Sequence, residues 1–229
     1  MTPALMVSGL RYAYDSEPVL DGVSFDVGPG ESVALAGANG SGKSTLLWCL
    51  AGLLPASGAV RLFGEPRSQR QMERVGIVFQ NPEDQLFMPN LFQDLILPLL
   101  NTGLGRATAR TKAQACLEEF GLGKLGDRPA THLSLGQRKR AAMALALIRQ
   151  PELLLMDEPT AELDGRAVRQ LIETLQAIRI AKLIASHDLS FLRATTTRTL
   201  LLKSGRIVED GPTAELLANE DLLRQTDLI

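Results

Sequence analysis

The run Gly37-Ala-Asn-Gly-Ser-Gly-Lys-Ser-Thr45 matches the pattern G-x-x-x-x-G-K-[ST] and sits between an apolar strand-like stretch, Val33 to Ala36, and a helical one. The small residues Gly37, Asn39, Gly40, Ser41 and Gly42 let backbone N–H groups converge on phosphate oxygens, and the positive end of the following helix adds to that field. Lys43 brings a mobile positive charge. Ser44, followed by Thr45, offers a hydroxyl to Mg2+, a hard cation that keeps several waters and favours oxygen ligands beside a substrate's phosphates. Far down the chain, Pro151-Glu-Leu-Leu-Leu-Met-Asp-Glu-Pro159 reads as a buried strand with an acidic tip. Side chains alternate faces along a strand, so Asp157 can serve the metal shell while Glu158 faces an attacking water. A phosphate loop followed by such a pair is suited to phosphoryl transfer to water.

Three other positions carry weaker signals. His187 follows the strand-like run Leu183 to Ser186, where an imidazole can hydrogen-bond a terminal phosphate and Glu158; an ordinary strand-end histidine is the competing reading. His132 is the other histidine, and the absence of Cys or carboxylate at ligand spacing argues against zinc. Ser134 precedes a helix beginning near Gly136 and can donate to an anion; an ordinary N-cap is the competing reading.

Leu133-Ser-Leu-Gly-Gln137, upstream of the Asp157–Glu158 strand, resembles the LSGGQ signature of the ATP-binding subunits of ABC transporters, and the motifs follow that family's order over nearly the whole chain. Leu135 departs from the usual Gly. By this resemblance Ser134, Gly136 and Gln137 bind the ATP held by the partner's phosphate loop, Tyr14 stacks on adenine, and Gln80 reaches metal or water. Ala161 to Asp164 forms the D-loop, and His187 is the switch histidine. Tyr12 competes with Tyr14, since an aromatic in a β-rich segment is also a core residue. The catalytic set is then Glu158, His187, Gln80 and Lys43, with Ser44, Gln80 and Asp157 around Mg2+. Phe79-Gln-Asn-Pro-Glu-Asp-Gln-Leu-Phe87 resembles the Q-loop segment of energy-coupling factor importers for cobalt, nickel or vitamins such as biotin. That group implies a second ATPase subunit, identical or homologous, a transmembrane coupling protein and a substrate-binding membrane protein. It also implies a peripheral place on the cytoplasmic face of the membrane. Leu86 and Phe87 can dock a partner helix or fill a core turn. Asn90 to Gly103 departs from the family's Gly-containing pattern.

The elements that must position these residues read as α/β. Val33 to Ala36, Val75 to Phe79, Leu153 to Met156 and Leu183 to Ser186 are continuous apolar runs, as in parallel strands covered on both faces. Helical spacing marks Lys43 to Ala51, Ala107 to Phe120, Gly136 to Arg149 and Arg166 to Ile178. Alternating segments at Arg11 to Tyr14, Val23 to Val27 and Ala59 to Phe63 predict an antiparallel patch. With the resemblance, the expectation is a P-loop NTPase (RecA-like) core with an antiparallel β subdomain and a helical insertion. Residues 1–80 and 151–229 form the core and β subdomain, and residues 81–150 form the helical part carrying the signature.

Composition narrows the function classes. The 229 residues are 45% hydrophobic and 22% charged, enough apolar content for a sizeable core. A net charge of -2 supplies no field for a nucleic-acid backbone. A DNA-acting ATPase of related architecture needs a basic surface or a long coiled coil, and a small-molecule kinase leaves Leu133 to Gln137 and His187 unexplained; an ABC importer of another class remains the nearer alternative. The opening MTPALMVSGL lacks the positive charges of an export leader, and no apolar run nears the roughly 18 residues of a membrane span. The stretch Leu95 to Leu100, interrupted by Pro98, reads as buried or partner-facing. Cys49 and Cys116 lie among apolar neighbours in helical patterns and are expected as reduced, buried thiols of a cytoplasmic protein.

Overall fold

The computed structural model describes residues 2–229. Strands β1 (Leu5–Tyr14) and β2 (Glu17–Val27) form a hairpin, and β3 (Ser32–Ala36) leads through the glycine loop into α1 (Lys43–Ala51). Strands β4 (Ser57–Leu62) and β5 (Glu65–Pro66) precede α2 (Gln69–Met72) and β6 (Val75–Val78). Every regular element between β6 and β7 is helical, the longest being α3 (Leu91–Asn101), α4 (Arg106–Glu119) and α5 (Leu135–Leu147). Then come β7 (Leu153–Asp157), α6 (Gly165–Ala177), β8 (Ala181–Ser186), α7 (Leu189–Thr195), β9 (Arg198–Lys203), β10 (Arg206–Pro212), α8 (Thr213–Leu216) and α9 (Glu220–Gln225).

Two sheets result. One is antiparallel in the order β2-β1-β4-β5; the other runs β10-β9-β3-β8-β7-β6, parallel except for β10. The continuous apolar runs have the expected cause, burial on both faces. Val33 and Leu35 of β3 enter a core shared with α1 and the antiparallel sheet. Ala34 and Ala36, pointing the other way, meet Leu154, Met156, Ile184 and Phe191. A third core lies among the helices, where Leu91, Leu95 and Leu99 form one stripe of α3 against Ala113, Leu117, Ala141 and Ala144. Each such leucine contributes roughly 1.5–3 kcal/mol by leaving water.

Several local expectations are corrected. Strands β1 and β2 extend well beyond Arg11–Tyr14 and Val23–Val27 because Asp15 and Ser16, at φ 44° and 83°, make a two-residue hairpin turn. Left-handed conformations at both central residues suit the strand twist, but without Asn-Gly the turn left no strong sequence signal. Pro98 does not interrupt the apolar run: α3 continues through it, held by its Asn90 cap and its buried leucine stripe. The strand expected to reach Phe79 stops at Val78, because the Gln85 side chain takes over its edge. Leu86 is buried in the helical core, while neighbouring Phe87 is 72% exposed, so only the latter faces outward.

Candidate functional site

Strand register brings the chemistry to one level. Ala36 pairs with Ser186, Ala185 with Asp157, and Met156 with Val78, so the segments carrying the glycine loop, His187, Glu158 and Gln80 leave the sheet side by side. Ligands of open α/β sheets bind beyond such carboxyl ends.

The loop's shape follows from its glycines. A Cβ on Gly37 would lie 2.5 Å from both the Leu202 carbonyl oxygen and Ser41 Oγ, and Gly42, the residue before α1, has φ 106°. Asn39 and Gly40 are exposed at the tip, whereas Ser41 and Thr45 are buried. Lys43, only 6% exposed, folds its ammonium into the loop, donating to Gly37 O at 2.8 Å and Ala38 O at 3.2 Å. Gly205, between β9 and β10, braces the loop: its N–H donates to Ser41 O, and its carbonyl accepts from Asp21 N–H. Sequence reasoning missed Gly205, whose signal was a Ser-Gly turn between apolar runs.

Glu158 is the hub. Its carboxylate, 8% exposed, has Oε1 at 3.0 Å from His187 Nδ1 and 3.4 Å from Lys43 Nζ. Oε2 accepts from Ser186 Oγ at 2.9 Å and His187 N at 3.4 Å. The backbone of Glu158 is left-handed, φ 41°, which aims the side chain off the strand direction. Burial pushes the Asp157 carboxyl above its ordinary pKa, while a hydrogen bond from Ser44 and the Lys43 charge act in the opposite direction. Asp157 Oδ1 is buried without a hydrogen-bond partner.

That unpartnered oxygen, on a carboxylate that Ser44 also contacts, is the observation against which Mg2+ is tested. Among the described residues no group of three or more His, Cys, Asp or Glu side chains is placed to hold a metal. Such a cage is not what Mg2+ requires, since one carboxylate and one hydroxyl with phosphates and water complete its shell. The residues fit.

Other sequence-predicted residues sit apart. Gln80 is exposed beyond β6. Its neighbour Gln85 accepts from Phe79 N at 2.9 Å and donates to Ile77 O at 2.7 Å, bracing the base of the segment. Tyr14 is 42% exposed, while Tyr12 packs against the first core. Their rings meet edge to face at 4.8 Å. Ser134, exposed, caps α5 in a reciprocal box with Gln137. Leu135 is simply the first residue of that helix, and a Cβ on Gly136 would meet open space. Asp164 caps α6 through Arg166 and Ala167 N–H. Lys139, unforeseen, donates from α5 to the carbonyls of Glu158 and Pro159. An open cleft of about 1120 Å³ beside α4, α5 and α6 includes neither Lys43 nor Glu158 nor His187 in its lining.

The fold is that of an α/β P-loop NTPase. Residues 20–161 match the ABC transporter family, and the chain belongs to it, in its ATP-binding branch, whose members are ATPases. Nickel import ATP-binding protein NikO of Rhodobacter capsulatus is 39% identical over 246 residues, spanning 100% of this chain and 97% of that protein. Cobalt import ATP-binding protein CbiO of the same organism is 39% identical over 239 residues, spanning 100% and 85%. Among solved structures, cbiO1 from Clostridium perfringens, part of the ABC transporter complex cbiONQ, superposes with a TM-score of 0.83 at 32% identity, over 100% of this chain and 96% of that one.

Proposed function

We propose that this chain is the ATP-hydrolysing subunit of an energy-coupling factor importer for a transition-metal ion, cobalt or nickel. The observation that carries the reading is the buried Glu158 carboxylate between Lys43, Ser186 and His187 at the end of the sheet. Relatives named for nickel and cobalt import favour a metal ion over biotin as cargo. No helix among the described residues is long and apolar enough to cross a membrane, in keeping with a peripheral subunit on the cytoplasmic face, beneath a transmembrane coupling protein and a substrate-binding membrane protein.

In this reading Gly37 to Thr45 holds the phosphates and Lys43 leaves its loop carbonyls to pair with them. Glu158 orients the attacking water and accepts its proton. His187 bridges Glu158 and the terminal phosphate, Gln80 reports nucleotide state to the exposed Phe87 segment, and Tyr14 covers the base. Ser44, Asp157 and Gln80 would hold Mg2+, which supplies neutralisation of phosphate charge. Residues 81–150 act as a helical arm presenting Ser134, Gly136 and Gln137, with Asp164 nearby, to the nucleotide of a second ATPase subunit, so two shared sites close together.

Co-expression with the membrane proteins encoded beside its gene tests the reading. The expected result is copurification with them and ATP-dependent uptake of radioactive cobalt or nickel. ATP hydrolysis with no membrane partner and no uptake would overturn it.

A further inference from the structure

We propose that Ser186 is the positioning residue of the hydrolytic carboxylate: its hydroxyl anchors one oxygen of Glu158 so that the other is presented to water. The inference rests on the assignment of Glu158 made above. Ser186 is wholly buried at the last position of β8, and its Oγ donates to Glu158 Oε2 at 2.9 Å. The direction of that bond is set by its neighbour. Asp188 N–H donates to the same Oγ at 3.1 Å, so a lone pair is taken and the single hydroxyl proton is directed to the carboxylate. Asp188 is itself fixed, since its side chain caps α7 through Phe191 N–H at 3.0 Å.

The two oxygens of Glu158 therefore have different surroundings. Oε2 is held by Ser186 and His187 N–H. Oε1 is buried as well, near His187 Nδ1 and Lys43 Nζ, but has no hydrogen-bond partner, which leaves its acceptor capacity for a water brought in with the nucleotide. A glutamate has several freely turning side-chain bonds, and the left-handed backbone at Glu158 does not by itself choose among their rotamers. A general base must stand within hydrogen-bond reach of the proton it takes. Ser186 provides that placement without itself touching the nucleotide.

Steady-state and single-turnover hydrolysis of Ser186→Ala, Ser186→Thr, Ser186→Val and Glu158→Gln in the full chain tests this, with thermal melting of each variant. Ser186→Ala should lower kcat about 10- to 100-fold with KM and ATP affinity unchanged, the scale of a misplaced reacting group. Ser186→Thr should keep the rate within about threefold of the unaltered protein, and Ser186→Val, nearly isosteric with that threonine variant but lacking its hydroxyl, should not. This last pair decides the matter if a cavity unfolds the alanine variant. In a Glu158→Gln background, Ser186→Ala should slow the residual single-turnover rate no further, as expected of a residue acting only through Glu158. Normal kcat in the folded alanine or valine variant, or an undiminished further loss in the glutamine background, would overturn the proposal. Normal turnover in Glu158→Gln alone would instead remove the assignment on which it rests.

Discussion

Lys139 of α5 and Glu158 of the β7–α6 loop are joined through the backbone: the lysine Nζ lies 3.4 Å from the carbonyl oxygens of Glu158 and Pro159. The helix that opens at Ser134 is thereby tied to the segment that aims the buried carboxylate. Burial depresses the Lys139 pKa below its ordinary value, opposed by the charges of Glu162 and Glu158.

Replacing Lys139 by Met keeps the length of the side chain and removes its donors. ATP affinity should stay near normal while kcat falls about tenfold, equivalent to about 1.4 kcal/mol of transition-state stabilisation. Nucleotide binding and steady-state hydrolysis read the two quantities separately; unchanged kcat would show that the tether has no part in catalysis.

Lys43→Ala should weaken both ATP binding and turnover, each by at least about tenfold, because the cation nearest the phosphates is lost in the ground and transition states alike. The loop itself is expected to persist, since Gly37 and Gly42 shape it through close backbone approach. Equal affinity and rate in this variant would remove the phosphate-loop assignment.

Ser134→Arg puts bulk and charge on an exposed surface while removing the cap of α5. Each chain should still bind ATP, but ATP-driven dimerisation in a Glu158→Gln background, followed by light scattering, should be lost. Ser134→Ala is the control: it gives up the cap, about 1 kcal/mol, yet leaves room for a partner. Dimers that persist with arginine would reduce Ser134 to a helix cap.

Burial pushes the thiols of both Cys49 and Cys116 up to about 11. The reactive form is the thiolate, so about one thiol in a thousand is ionised at pH 8, and both are shielded. Native protein should resist iodoacetamide at that pH, and both cysteines should react once denaturant is added. Rapid labelling of the native chain, read by mass spectrometry, would contradict their burial.

The α/β class and the family were legible because each is written in local spacing. Four residues of β3 alternate between two cores, and the result is a continuous apolar run. Gly37 of the loop stands where a side chain would strike the Leu202 carbonyl, and Gly40 and Gly42 adopt left-handed backbone at φ 79° and 106°. The hairpin at Asp15 and Ser16 left a fainter trace, since left-handed residues other than glycine do not announce themselves.

What the sequence by itself determined is therefore which residue types stand at and just beyond the strand ends: Asp157, Glu158 and His187, with Lys43 opening α1 after the glycine loop. Only the tertiary structure decided how they are held, through Ser186 on one oxygen of Glu158, Lys139 on its carbonyl, and Gln85 on the edge of β6. The Ser186 and Lys139 contacts span 28 and 19 residues. Periodicity and turn chemistry act over a few residues, whereas a contact across such a separation exists only after β7 and β8 have paired in register and α5 has packed against them. The same packing divided Leu86 from Phe87, placing one in the helical core and leaving the other exposed, although the two are adjacent and equally apolar to a local reading.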